Sequence, residues 1–351
     1  MKVLITRTIW AAAFAAVAMT ASAETYVAKI YGVPAGYDYM YGVAAGGNGM
    51  ISGYAKSTST GEEQALYLTP TGIRDMHPAG WTSSHITDAW GSTYHVGFGA
   101  PSGTVPLNAL LWIGGGAPIN LHPSSGADST MAFGGDGQLQ VGSGTALDLS
   151  TFTLVTKGCT WSRTAASFRY LLSPSHTNVT AYGTDGTAAV GEGTITAQKH
   201  ALYWPTIGQV PRDLNPSGAT ESQSLTTHSG QQGGYFISPA TSGNQHAALW
   251  TGSSGTMVDL NPNAAFTSSS VVRVRGGLQV GTGTPITSPL RKQAIAWHGA
   301  SGTWINLHFM LPYPFTFWSS AAGDIDANGN ITGTIESPDG TIRRPVIWER
   351  Q

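Results

Sequence analysis

Residues 246–297 hold, in order, HAALW (His246–Trp250), MVDLNP (Met257–Pro262), SSSVVRV (Ser268–Val274), LQVGTG (Leu278–Gly283) and QAIAW (Gln293–Trp297). Between one tryptophan and the next lie four short runs separated by Gly, Asn, Asp, Ser and Pro. They are too short for helices and are punctuated like strands. The same slot is filled by Leu68, Trp112, Trp161, Trp204, Trp250, Trp297 and Trp348, at intervals of 43–51 residues. The outer-strand motif recurs as DMHP from Asp75, NLHP from Asn120, DLNP from Asp213 and Asp259, and NLHF from Asn306. The hairpin motif recurs as GGNGMISG from Gly46, GDGQLQVG from Gly135, TDGTAAVG from Thr184 and DANGNITG from Asp326, with the Asn-Gly and Asp-Gly pairs that tight hairpin turns demand.

Four-stranded units at this period are the signature of a β-propeller, whose blades bury their faces only against neighbours. Seven units predict an all-β, seven-bladed β-propeller. The rival is a linear β-solenoid, whose rungs are shorter. The last unit stops at PVIWERQ without an outer strand, and the chain carries a spare strand, TYVAKIYG (Thr25–Gly32), ahead of the first unit. That strand is expected to complete the last blade and remove the open edge, so trimming it should destabilise the far end of the sequence.

Composition agrees. The 351 residues include only 17 basic and 19 acidic side chains, but 41% are hydrophobic and 11 are Trp, far more apolar surface than a disordered chain carries. A net charge of −2 offers no basic field for a phosphate backbone, which argues against nucleic-acid binding. Residues 1–23 read as a signal peptide: Lys2 and Arg7, an apolar run from Ile9 to Met19, then Ala21-Ser22-Ala23. The expectation is export to the periplasm or medium without membrane insertion, and a single monomeric propeller domain over 24–351. Cys159 is the only cysteine, so no intramolecular disulfide is available.

The pentads His200-Ala201-Leu202-Tyr203-Trp204 and His246-Ala247-Ala248-Leu249-Trp250, each followed by Asp-Leu-Asn-Pro and a Gly-x-x-x-Gly hairpin, resemble the bacterial extracellular HAF-repeat family. Leu or Ala stands for that family's Phe, and several units lack the His. The resemblance implies a secreted repeat protein and carries no common activity or catalytic residue.

The recurrent residues read as structure: the tryptophans as blade packing, His77, His122 and His308 (exchanging with Asn215 and Asn261) as strand-end hydrogen bonding, and His200 and His246 as parts of the repeat. Asp324-x-Asp326-x-Asn328-Gly329 matches the start of a calcium loop, but Ile335 stands where the bidentate carboxylate belongs, and a plain hairpin is the competing reading. No GxSxG elbow, HExxH, Walker loop or GxGxxG occurs in the context it needs. The acids Asp88, Asp128, Glu192 and Glu221 are dispersed, and spacing does not place them.

Departures from the repeat are the better functional candidates. The connection MLPYPFTFW holds Tyr313, Phe315, Phe317 and Trp318; its counterparts hold Tyr37 and Tyr39, then Trp81 and His85. With strands running outward from the axis, these connections share one face around the channel mouth. There they would form a stacking platform for sugar rings or a protein partner, or fold back over the blades. The connection Thr145–Gly158 should rise from the same face. Arg273 and Arg275 occupy inner-strand positions that are mostly small elsewhere, suited to an anion in the channel or to solvent. The expected function is a secreted binding module recognising a glycan or an extracellular surface protein. The alternatives are a polysaccharide lyase or hydrolase using His85, His176 or a nearby acid, and a purely structural protein. Convergence of titratable groups at the channel mouth would discriminate them.

Overall fold

The computed structural model describes residues 24–47, 49–102 and 106–351; the leader expected at 1–23 lies outside them. Seven antiparallel four-stranded sheets surround an axis, six of them running from inner to outer strand in sequence order. The blades span residues 37–75, 81–120, 129–170, 177–213, 221–259 and 266–306. The seventh is built from 319–350 with Tyr26–Ile30 as its outermost strand. Tyr26 pairs with Arg350 and Ile30 with Val346, and Gln351 N donates to Thr25 O at 2.9 Å, so the ring closes through the spare strand. With four antiparallel strands per blade, the blade-to-blade connections and the turns between second and third strands share one face, here called upper. Among the described residues, no helix is long and apolar enough to cross a membrane.

The hairpin glycine has one cause in every blade. Each inner strand carries a β-bulge at the same level, at Val43, Thr87, Phe133, Tyr182, Leu225, Val272 and Gly323. The bulge pushes a carbonyl against the second strand. A Cβ on Gly53, Gly97, Gly142, Gly191, Gly234, Gly281 or Gly333 would stand 1.8–2.0 Å from that oxygen, so no side chain fits. In exchange, the bulged residue is turned out of the sheet toward the axis.

The outer-strand motif is a hydrogen-bonded staple to the next blade. Its acid or amide accepts from the backbone two residues on, as Asp213 Oδ1 does from Asn215 N at 2.8 Å. The His or Asn then meets a hydroxyl of the next inner strand: His77 with Ser84 (2.8 Å), His122 with Thr130 (3.0 Å), Asn215 with Ser222 (2.6 Å), Asn261 with Ser269 (2.6 Å) and His308 with Ser320 (2.9 Å). The same hydroxyls accept from Ala65, Ala109, Ala201, Ala247 and Ala294 N. His77 Nε2 faces the Trp81 carbonyl at 3.1 Å, which can only accept, so Nδ1 takes the Ser84 proton. Two junctions depart. Leu172 and Val179 replace the pair between blades three and four. Between seven and one, Met40 replaces the hydroxyl and Pro345 has no N–H to satisfy.

The six repeated tryptophans are fully buried. Trp112, Trp204 and Trp348 also donate to the Met76, Leu172 and Leu307 carbonyls of the preceding connection. Instead of a loop, Thr145–Gly158 continues the second and third strands of blade three as a hairpin paired to Asp148–Thr153. Its Thr- and Leu-rich strands keep their backbone bonds to the tip, leaving Leu149, Phe152 and Leu154 exposed.

Candidate functional site

The bulges build a funnel of about 600 Å³ that opens on the upper face. All seven bulged residues line it, with Tyr41, Phe133, Tyr182, Leu225 and Val272 supplying the apolar wall and Lys292, Glu336 and Thr334 polar groups. Its floor is an ion triad across the axis. Arg273 pairs with Asp88 and, at 2.7 Å, with Asp324. Asp88 also accepts from Ala89 N and Gly135 N, and Asp324 from Ala45 N and Ile325 N. Burial works against the guanidinium charge, but Asp324 and Asp88 outweigh it and hold the Arg273 pKa above its ordinary value. Burial pushes the Asp324 carboxyl up, with Arg273 opposing.

Beside the funnel, a chain of rings crosses blades one to four. Successive centroids are 5.7 Å (Tyr39–Tyr41), 4.9 Å (Tyr41–Tyr54), 4.4 Å (Tyr54–His85), 5.0 Å (His85–Phe98), 6.3 Å (Phe98–Phe133) and 5.6 Å (Phe133–Tyr182) apart. Glu63 ties it together, accepting from Tyr39 Oη at 2.7 Å and meeting His85 Nε2 at 2.7 Å. Burial and then Glu63 push the Tyr39 phenol up to about 12, and the same causes raise Tyr54 further. Arg343 lies 5.2 and 5.0 Å from the Tyr39 and Tyr41 ring centroids and pairs with Glu336 at 2.6 Å. Glu192 gathers Tyr182 Oη (2.9 Å), Gln223 (2.8 Å) and Lys199 (3.4 Å).

The residues singled out in the sequence therefore divide. Tyr39 and His85 join the Glu63 network. Tyr37 and Trp81 pack on blades one and two. Phe315 and Trp318 fold back onto the core under Arg344, while Tyr313 and Phe317 stay exposed. Arg273 is held by two carboxylates of the chain itself instead of facing solvent or a free anion site. Arg275 lies at the lower opening, over the Trp90 ring and bonded to Ile325 O at 3.0 Å. The calcium-loop acids serve separate networks: Asp324 belongs to the triad, whereas Asp326 caps its own hairpin by accepting from Asn328 N and Asn330 N. Asp128 accepts from Leu147 N, and Glu221 from Tyr235 Oη. Glu63, Tyr41, Tyr54, Phe98, Phe133 and Tyr182 were not singled out. The available signal was the bulge slot compared across all seven units, where two rings replace Val, Thr, Leu or Gly.

A second cluster stands on the upper side of blade four. One ligand atom each from His176, His200 and Asp213 lies within 4.8 Å of the other two, a set able to hold a metal ion. His200 Nδ1 meets Asp213 Oδ2 at 2.7 Å, and both ring nitrogens of His176 are buried without a hydrogen-bond partner. Burial lowers the His176 pKa, with Asp213 opposing and His200 reinforcing.

No family model matches the chain, so the HAF-repeat resemblance rests on the quoted motifs. No curated protein matches it. Solved structures show the fold. The β-propeller domain of the Trilobed protease from Pyrococcus furiosus, described as having an open velcro topology, is 9% identical, with TM-score 0.55 over 78% of this chain and 81% of that one. A prolyl endopeptidase structure is 14% identical, with TM-score 0.54 over 90% of this chain and 49% of that one. An acylaminoacyl peptidase complexed with Z-Gly-Gly-Phe-chloromethyl ketone is 11% identical, with TM-score 0.52 over 85% and 50%. The chain thus spans about half the length of the two peptidases.

Proposed function

We propose that the upper funnel is a carbohydrate site of a secreted propeller. The observation that carries this reading is a cavity of about 600 Å³ with Arg273 at its inner end and walls of Tyr41, Phe133 and Tyr182, with Lys292, Glu336 and Thr334 at hand for hydroxyl or carboxylate groups. Aromatic walls with a few convergent polar groups are the usual form of a small-molecule site, and sugar rings present an apolar face to such walls.

A second reading is favoured by the titratable groups that gather beside the funnel. His85 held by Glu63, beside Tyr39, is an oriented acid–base pair, and Arg343 and Lys292 are cations suited to a sugar carboxylate. This arrangement serves a lyase acting on an acidic polysaccharide. One experiment separates the readings: a panel of neutral and uronate-containing polysaccharides, followed both for binding and for release of reducing or unsaturated ends. Binding lost in Phe133→Ala at unchanged thermal stability supports the carbohydrate site. New ends abolished in His85→Ala make it catalytic, and absence of binding across the panel overturns both.

A further inference from the structure

Blade four differs from blades two and six in the plug that covers the upper end of its sheet. In blade two, Trp81 lies over Gly99, where an added Cβ would come within 2.9 Å of the indole; in blade six, Phe266 lies over Gly283 at 2.6 Å. In blade four, the same place is taken by His176, whose Cβ would stand 2.9 Å from a Cβ added to Gly193. The Phe266 phenyl leaves no polar atom behind. The imidazole leaves two buried nitrogens without a partner, an unmet desolvation cost that a bound ion would relieve at one of them. Its ring centroid is 6.3 Å from that of His200, whose Nδ1 is already held by Asp213.

From this juxtaposition we propose that His176, His200 and Asp213 form a binding site for a divalent transition metal of the zinc class. Two imidazoles and a carboxylate are the donor set such ions prefer, at roughly 2.0–2.2 Å per ligand. Placing a metal requires the 2.7 Å hydrogen bond between His200 and Asp213 to open to roughly 3.3 Å. The bridging proton is released, and His176 closes on the ion. Asp213 keeps its second oxygen on Asn215 N at 2.8 Å, which fixes the carboxylate as an outer partner does in metal sites. The carboxylate side chain is 41% exposed, so the fourth position falls to water. Calcium is disfavoured because it takes six to eight oxygen ligands. The site clamps the incoming connection to the outer strands of blade four, next to the junction where Leu172 and Val179 interrupt the staple. It is independent of the funnel reading.

The test is zinc and calcium binding to the full secreted chain after chelation and dialysis, by metal analysis and titration, with the visible spectrum of the cobalt form as a reporter of imidazole ligation. The comparison variant is His176→Phe, which restores the hydrocarbon plug of blade six and so keeps the fold. One zinc per chain, a rise in Tm on adding zinc, and at least tenfold weaker binding with no zinc-dependent Tm rise in His176→Phe are expected. No zinc bound by the wild-type chain, zinc retained equally by His176→Phe, or calcium bound in its place would each overturn the proposal.

Discussion

Blades four and five are built from nearly the same parts. Each places a histidine at the start of its third strand, and the aspartate of its outer strand takes that histidine's Nδ1, at 2.7 Å for His200–Asp213 and 2.8 Å for His246–Asp259. Each continues through an asparagine to a hydroxyl of the next blade, both at 2.6 Å. The difference is the neighbour of the histidine. Blade five pairs Phe236 with His246 and leaves Ala219 in the connection; blade four pairs Gly193 with His200 and fills the space from the connection with His176. The volume is conserved between two positions while its chemistry changes from phenyl to imidazole. A repeated His–Asp pair is thus a structural brace by default, and a third residue from outside the repeat motif gives it a metal-binding set.

Grafting that third residue is the strongest test. Ala219→His with Phe236→Gly should cost blade five about 4–6 kcal/mol without metal, from the lost phenyl and the strand glycine. It should recover part of this with zinc and raise the metal content from one to two per chain. A graft that binds no additional zinc breaks the comparison. Next come the tryptophans. Trp204→Ala and Trp250→Ala should each destabilise by about 3–5 kcal/mol in urea unfolding. Trp204 should cost about 1 kcal/mol more, because its Nε1 donates to Leu172 O at 2.9 Å while that of Trp250 has no partner. The staples should behave alike: Ser222→Ala and Ser269→Ala strand the Ala201 and Ala247 amides and should each cost about 1–3 kcal/mol. The smallest contrast concerns two phenols. Tyr182→Phe and Tyr235→Phe each lose a bond to a glutamate worth about 1 kcal/mol. Only Tyr182 lines the funnel, so calorimetry should find saccharide affinity lowered up to roughly tenfold in that variant alone.

What was readable in the sequence follows from repetition. Trp112 to Trp348 and the Asp-Leu-Asn-Pro motifs report the same contact several times, so their spacing gave blade number, strand order and closure by Thr25–Gly32. The hairpin glycines recurred visibly, although the bulge that requires them is a backbone event with no residue of its own. The funnel was not readable, because its wall takes one residue from each inner strand and the ring chain crosses four blades. Glu63 stands at a strand start like any solvated acid until Tyr39 and His85 converge on it. His176 stood out as a candidate, but its partners His200 and Asp213 read as repeat members, and only the fold brings the three together. Arg273 was visible as an exception, whereas Asp88 and Asp324, which neutralise it, sit in distant blades.

The closure of the ring also fixes how the molecule resists force. The strand Tyr26–Ile30 and the last strand pair with Tyr26 opposite Arg350, so residues 25 and 351 meet at the same end of one ladder. Tension applied between those two points loads the backbone bonds one after another, as in a zip, instead of shearing them together. A propeller held at these points should open at its seventh blade first and at low force, whereas handles on the outer strands of blades two and five would load several sheets at once and meet far greater resistance.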